Sequence, residues 1–137
     1  MADDVLLNKA AIIERCLARI AQEYEGHESE METSLTRQDA IVLNLQRACE
    51  AAIDGAMHLV RIHRLGLPQD SREAFTLIED AGILPTELAA TLRSMVGFRN
   101  IATHDYRKLS LAILRSILAE HLGDLRSFVA LLVSRAM

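Results

Sequence analysis

Arg99, His104 and Tyr106 fall within one short stretch, Arg99-Asn100-Ile101-Ala102-Thr103-His104-Asp105-Tyr106, at the end of an apolar helical pattern. A permanent cation can hold a phosphate, an imidazole can move a proton near neutral pH, and a phenol can donate, stack or accept a modifying group. Arg107 and Lys108 follow directly and add local positive charge. Residue chemistry alone also allows a structural role: an arginine near a helix end often holds terminal carbonyls, and a His-Asp pair often caps a turn.

These side chains must be placed by the helix that carries them. Arg99 and His104 are five positions apart, and in an unbroken helix they would leave the axis about 140° apart. Convergence on one cleft therefore requires a helix end or bend between them. Thr103, His104 and Asp105 are poor helix formers, so Arg99 is placed in a last helical turn and His104 just beyond it. Asp105 to Lys108 then form a connection, with Ser110 as N-cap of a long last helix.

The rest of the chain is helical scaffold. Leu6, Ile13, Leu17, Ile20 and Tyr24 mark one helical stripe over 4–24. Residues 26–35, with Glu28, Glu30 and Glu32, form an acidic loop or frayed turn. Thr36 and Asp39 suggest the cap of a second helix running to about Arg64. Its apolar residues cover more than one face, which suits a central helix or one shared with a second subunit. Leu65-Gly66-Leu67-Pro68-Gln69 is a break. Asp70 or Ser71 caps a short helix over 71–81 with Gly82 past its end, and Pro85 opens another. The last helix has Leu111, Leu114, Leu118, Leu122, Leu125, Phe128 and Leu132 as its spine, and Gly123 marks a kink or a close helix contact. The expected fold is a single all-α domain over residues 1–137, an up-down bundle of four to five helices that dimerises.

Composition narrows the function. The chain has 137 residues, and half are apolar while only 4% are aromatic, which suits helices packed on helices. Its net charge of −4 offers no global attraction to nucleic acid, so any such binding needs a local patch. Cys16 and Cys49 lie among apolar residues without zinc-ligand spacing and read as buried thiols. The acidic start and the short apolar runs point to a cytoplasmic protein without membrane association. No glycine-rich phosphate loop occurs, which excludes nucleotide-hydrolysing and dinucleotide-binding enzymes of that kind.

Residues 36–135 resemble the HepT-like toxins of the HEPN superfamily. The signature is Arg, any four residues, His, any residue, Tyr, and Arg99, His104 and Tyr106 meet it. The segment from Asp39 to Ala48, then Gly66-Leu67-Pro68, then Met95 to Asn100, are similar as well. The resemblance implies an endoribonuclease that needs neither metal nor cofactor, with Arg99 and His104 as its catalytic pair. It implies a homodimer whose motifs face a shared cleft. It further implies a partner, a MntA-type nucleotidyltransferase antitoxin, that transfers AMP to Tyr106. RNA would be captured by Arg99, Arg107, Lys108 and Arg93.

Two other constellations stand beside the motif. Asp54 and His58, at i and i+4, can pair on one face or line the same cleft as His104. His58 and His63 are five apart and no Glu-x-x-His occurs, so a di-iron bundle is not expected. His27 and His121 read as surface positions. The competing functions are a non-catalytic helical dimer that binds a partner or a nucleotide, and a structural subunit that restrains a partner enzyme.

Overall fold

The computed structural model describes residues 2–137; the side chain of Arg107 lies outside what it describes. Among the described residues there are six α-helices and no strand: α1 (Asp4–Tyr24), α2 (Leu35–Ile62), α3 (Ser71–Asp80), α4 (Thr86–His104), α5 (Leu111–Glu120) and α6 (Leu122–Ala136). Single 3₁₀ turns lie at Glu28–Glu30 and Tyr106–Lys108.

The helix starts follow capping chemistry. Asp3 accepts from the amides of Val5 and Leu6 at 3.0 and 3.1 Å and so begins α1. Ser34, not Thr36 with Asp39, caps α2 by accepting from the Arg37 amide. The cap lies earlier because Ser34 has extended backbone and is the first residue able to reach an orphan donor. Asp39 is thereby left inside the helix with its carboxylate unspent. Asp70 caps α3 by accepting from the Glu73 amide at 2.9 Å, which frees the Ser71 hydroxyl. α3 ends in a Schellman turn: Gly82 has φ +77°, and the Ile83 amide donates to the Ile78 carbonyl at 2.9 Å.

α1 runs antiparallel to α2, since Arg37 at the start of α2 reaches Glu23 while His58 near its end reaches Asp3. It also packs against α6, whose end is tied back by the Asp3 amide donating to the Ala136 carbonyl at 2.8 Å. α2 is the central helix, with residues buried on several faces from Ile41 to Val60. Gly55 permits close contact with α6: a Cβ there would meet the Leu132 methyls at 3.1 and 3.2 Å. Phe75 of α3 and Phe128 of α6 pack edge to face, with centroids 5.9 Å apart.

The C-terminal pattern forms two helices rather than one. The chain breaks at His121, ahead of Gly123, and the His121 ring pairs with Asp124 at 3.1 Å. The apolar spine continues across the break, so Leu114 and Leu118 of α5 and Leu125, Phe128 and Leu132 of α6 all reach the core. Among the described residues no helix is long and apolar enough to cross a membrane.

Candidate active site

α4 does not end between Arg99 and His104. It runs unbroken to His104, and the Asp105 amide still donates to the Ile101 carbonyl at 2.8 Å. Weak helix propensity costs only about 0.7 kcal/mol per residue at most. Burial of Phe98 and Ala102 against the core outweighs that and carries the helix on. Asp105 then leaves the helix at φ −153°, and the Tyr106–Lys108 turn follows. The two motif side chains therefore leave the helix about 140° apart, with a rise of roughly 7.5 Å between them.

Arg99 points inward between α2 and α3. Its Nη1 donates to Glu50 and its Nη2 donates to the Ser71 hydroxyl at 3.0 Å, while its side chain is 18% exposed. Nε is buried and has no hydrogen-bond partner among the described residues. A guanidinium has five N–H donors, so one proton on each terminal nitrogen is left for an outside acceptor. Such a cation is pre-positioned, because the carboxylate and hydroxyl hold it before any ligand arrives.

His104 is exposed at the last residue of α4. Tyr106, 45% exposed, donates its phenolic proton to Asp39 Oδ1 at 2.5 Å. Burial, and then the Asp39 carboxylate, push the Tyr106 phenol up to about 12. Lys108 is highly exposed and pairs with Asp105 at 3.3 Å. Beside the motif, α4 and α5 flank a largely apolar cleft of about 540 Å³ that includes Phe98, Ile101 and Ile113.

Several expected contacts are replaced. Asp54 and His58 do not pair: Asp54 meets Lys9 at 3.4 Å, and His58 Nε2 donates to Asp3 at 2.8 Å. Helix α1 supplies both partners because its N-terminal turns lie along the C-terminal half of α2. His58 is also nineteen positions from Asp39, roughly 28 Å along the helix, so it is remote from the Tyr106 contact. Arg93 is not a free cation, since it pairs with Glu79 at 2.6 Å and pulls that carboxyl below its ordinary value. The Arg107 side chain, named for RNA capture, lies outside the described residues. Cys16 and Cys49 are buried free thiols, and desolvation raises the latter to about 12. Among the described residues no group of three or more His, Cys, Asp or Glu side chains is placed to hold a metal ion.

Glu50, Ser71 and Asp39 were missed as site residues. Glu50 carried a usable signal, as a lone charge in the run Ala48-Cys49-Glu50-Ala51-Ala52. An acidic residue among buried neighbours asks for a cation.

The family model described as ribonuclease HepT-like matches residues 13–132. The chain belongs to the HepT-like ribonuclease family. Across 127 residues it is 45% identical to the mRNA nuclease HepT of Shewanella oneidensis, covering 93% of this chain and 95% of that protein. It is similar to a chain in a toxin–antitoxin crystal structure with AMP-PNP, at 42% identity and TM-score 0.91, with 96% of this chain and 99% of the other covered. A third relative is the structure of a tri-AMPylated Shewanella oneidensis HEPN toxin in complex with MNT antitoxin. There the identity is 43%, the TM-score 0.91, and the coverage 96% and 98%. In this family the all-helical fold and the Arg99–His104–Tyr106 spacing of the chain find their context.

Proposed function

We propose that this chain is the toxin of a toxin–antitoxin pair: a metal-independent endoribonuclease that a MntA-type nucleotidyltransferase silences by adding AMP to Tyr106. The observation that carries this reading is the family match over residues 13–132, which contains Arg99, His104 and Tyr106 in signature spacing. The whole chain, residues 1–137, then acts as one HEPN-like domain in the cytoplasm.

His104 and Arg99 perform the chemistry. The imidazole takes the proton of a ribose 2′-hydroxyl, whose oxygen attacks the adjacent phosphorus, and the 5′-oxygen leaves. The products are a 2′,3′-cyclic phosphate and a 5′-hydroxyl. Arg99 meets the growing negative charge with the two terminal N–H groups that Glu50 and Ser71 leave open. Lys108 and Arg107 hold neighbouring phosphates.

One imidazole cannot act as base and as acid for the leaving oxygen in the same step. The inward anchoring of Arg99 by Glu50 and Ser71, with His104 exposed at the end of the same unbroken helix, supports a site completed by a second copy. In a dimer the His104 of one chain deprotonates while that of its partner protonates. The apolar cleft between α4 and α5, with Ile113 half exposed, supports the same arrangement. AMP on Tyr106 adds bulk and negative charge beside this cleft, which repels RNA phosphate.

Purified, unmodified protein is expected to cleave RNA in excess EDTA, and His104→Ala to lose at least about 100-fold in rate. Unchanged cleavage by that variant would overturn the assignment of His104. Cleavage that stops in EDTA would overturn metal independence.

A further inference from the structure

The contact between Tyr106 and Asp39 joins two parts of the chain 67 residues apart, and it matters for how the phenol is modified. We propose that Asp39 is the base that takes the phenolic proton when Tyr106 attacks a nucleoside triphosphate. This rests on the reading of Tyr106 as the acceptor of AMP, and adds to it a catalytic residue supplied by the modified protein itself.

The geometry is that of a base and its acid. Tyr106 Oη donates to Asp39 Oδ1 at 2.5 Å, the short distance expected of a hydrogen bond to an ionised carboxylate. Asp39 stands in the second turn of α2, free of capping duty because Ser34 caps that helix. It is exposed, so a proton it receives passes on to solvent. Asp39 is the charged group that acts on the phenol, while Lys108 on the same turn is turned to Asp105.

Chemistry makes such a base necessary. A phenol held near 12 is ionised in only about one molecule in 10⁵ at neutral pH. Attack must therefore coincide with proton removal. In the step, Tyr106 Oη bonds to the α-phosphorus of the triphosphate, which the nucleotidyltransferase partner presents. The bond from that phosphorus to the bridging oxygen breaks, and its electron pair leaves with pyrophosphate. The phenolic proton moves to Asp39. The products are the tyrosyl-AMP ester and pyrophosphate.

The test uses the full chain, purified unmodified, mixed with its nucleotidyltransferase partner and ATP, with the first AMP addition timed by mass spectrometry. Asp39→Asn can still accept the tyrosine hydrogen bond but cannot take the proton. It is expected to slow the first addition by about 100-fold or more, as loss of a general base does. Its rate should climb about tenfold per pH unit above neutrality, where the wild-type rate is flat. Asp39→Ser should behave alike, and Asp39→Glu should recover part of the rate. Circular dichroism checks that each variant is folded. A wild-type rate and flat pH profile in either Asp39→Asn or Asp39→Ser overturns the proposal. Addition of AMP to Tyr106→Phe at the wild-type rate overturns instead the reading of Tyr106 as acceptor.

Discussion

Where α1 lies between α2 and α6, nearly every inward side chain is fully buried, and the start of α1 is tied to the end of α6. The Asp3 amide holds Ala136, and the Asp3 carboxylate holds His58 while it caps α1. Around the end of α4 the pattern is different. His104, Tyr106 and Lys108 are exposed, α5 buries Leu114, Ile117 and Leu118 with Leu111 partly covered, and an open cleft separates it from α4. The first region stores stability and the second stores reactive groups. Their division follows from what each needs: packing requires mutual burial, whereas the roles proposed for His104 and Tyr106 require access from solution. Arg99 lies on the border, half-buried beside the first region and charged like the second.

Three measurements can break or sharpen that contrast. The largest effect is expected from Phe128→Ala, which removes a fully buried ring that packs edge to face on Phe75. It should lower unfolding free energy by about 3–5 kcal/mol, seen as a fall in denaturation midpoint. RNA cleavage per folded molecule should stay the same. A loss of cleavage in fully folded Phe128→Ala would show that the two regions are coupled.

Glu50→Gln probes the border. The amide oxygen can still accept a hydrogen bond, but the ion pair is lost, so the Arg99 guanidinium is held less firmly. The expected result is a fall of about tenfold to a hundredfold in kcat, with the helical spectrum unchanged. Lost stability at an unchanged kcat would make the Glu50–Arg99 pair a strut of the first region and erase the border.

The smallest effect concerns Asp3. The hydrogen bond from His58, then that from the Leu6 amide, holds its carboxyl below the ordinary 3.8. A depressed folded value means the ionised form stabilises the fold above the unfolded value, and that this stability is lost as pH falls through the folded one. Asp3→Asn keeps the cap but removes the charge. Its thermal midpoint should lie below wild type above about pH 4, and the gap should close as the solution is acidified further. A gap that persists in acid would mean that the side chain acts through packing or the cap alone.

The helical stripes were legible because burial repeats with the helix period. Leu6, Ile13, Leu17 and Ile20 were placed correctly on α1, and Leu125, Phe128 and Leu132 on the C-terminal helical spine. The caps were less so: Thr36 was read as the cap where Ser34 serves, and Asp70 and Ser71 were left open, because local composition does not separate neighbours that could each reach an orphan amide. The Asp54–His58 pair failed because i, i+4 spacing permits a contact that α1, bringing Lys9 and Asp3, takes over.

By itself the sequence determined the all-helical fold, the order of its main elements, and the Arg99–His104–Tyr106 signature with its family. The fold and the order are carried by local periodicity, and the family by the resemblance of the motif and its flanking segments. Only the tertiary structure decided that α4 continues to His104, that Arg99 is held by Glu50 and Ser71, and that Tyr106 gives its proton to Asp39. The reason is physical. Helix propensities differ by fractions of a kcal/mol, so burial of Phe98 and Ala102 settles where α4 ends. Partners 28, 49 and 67 residues away become neighbours only once the helices pack.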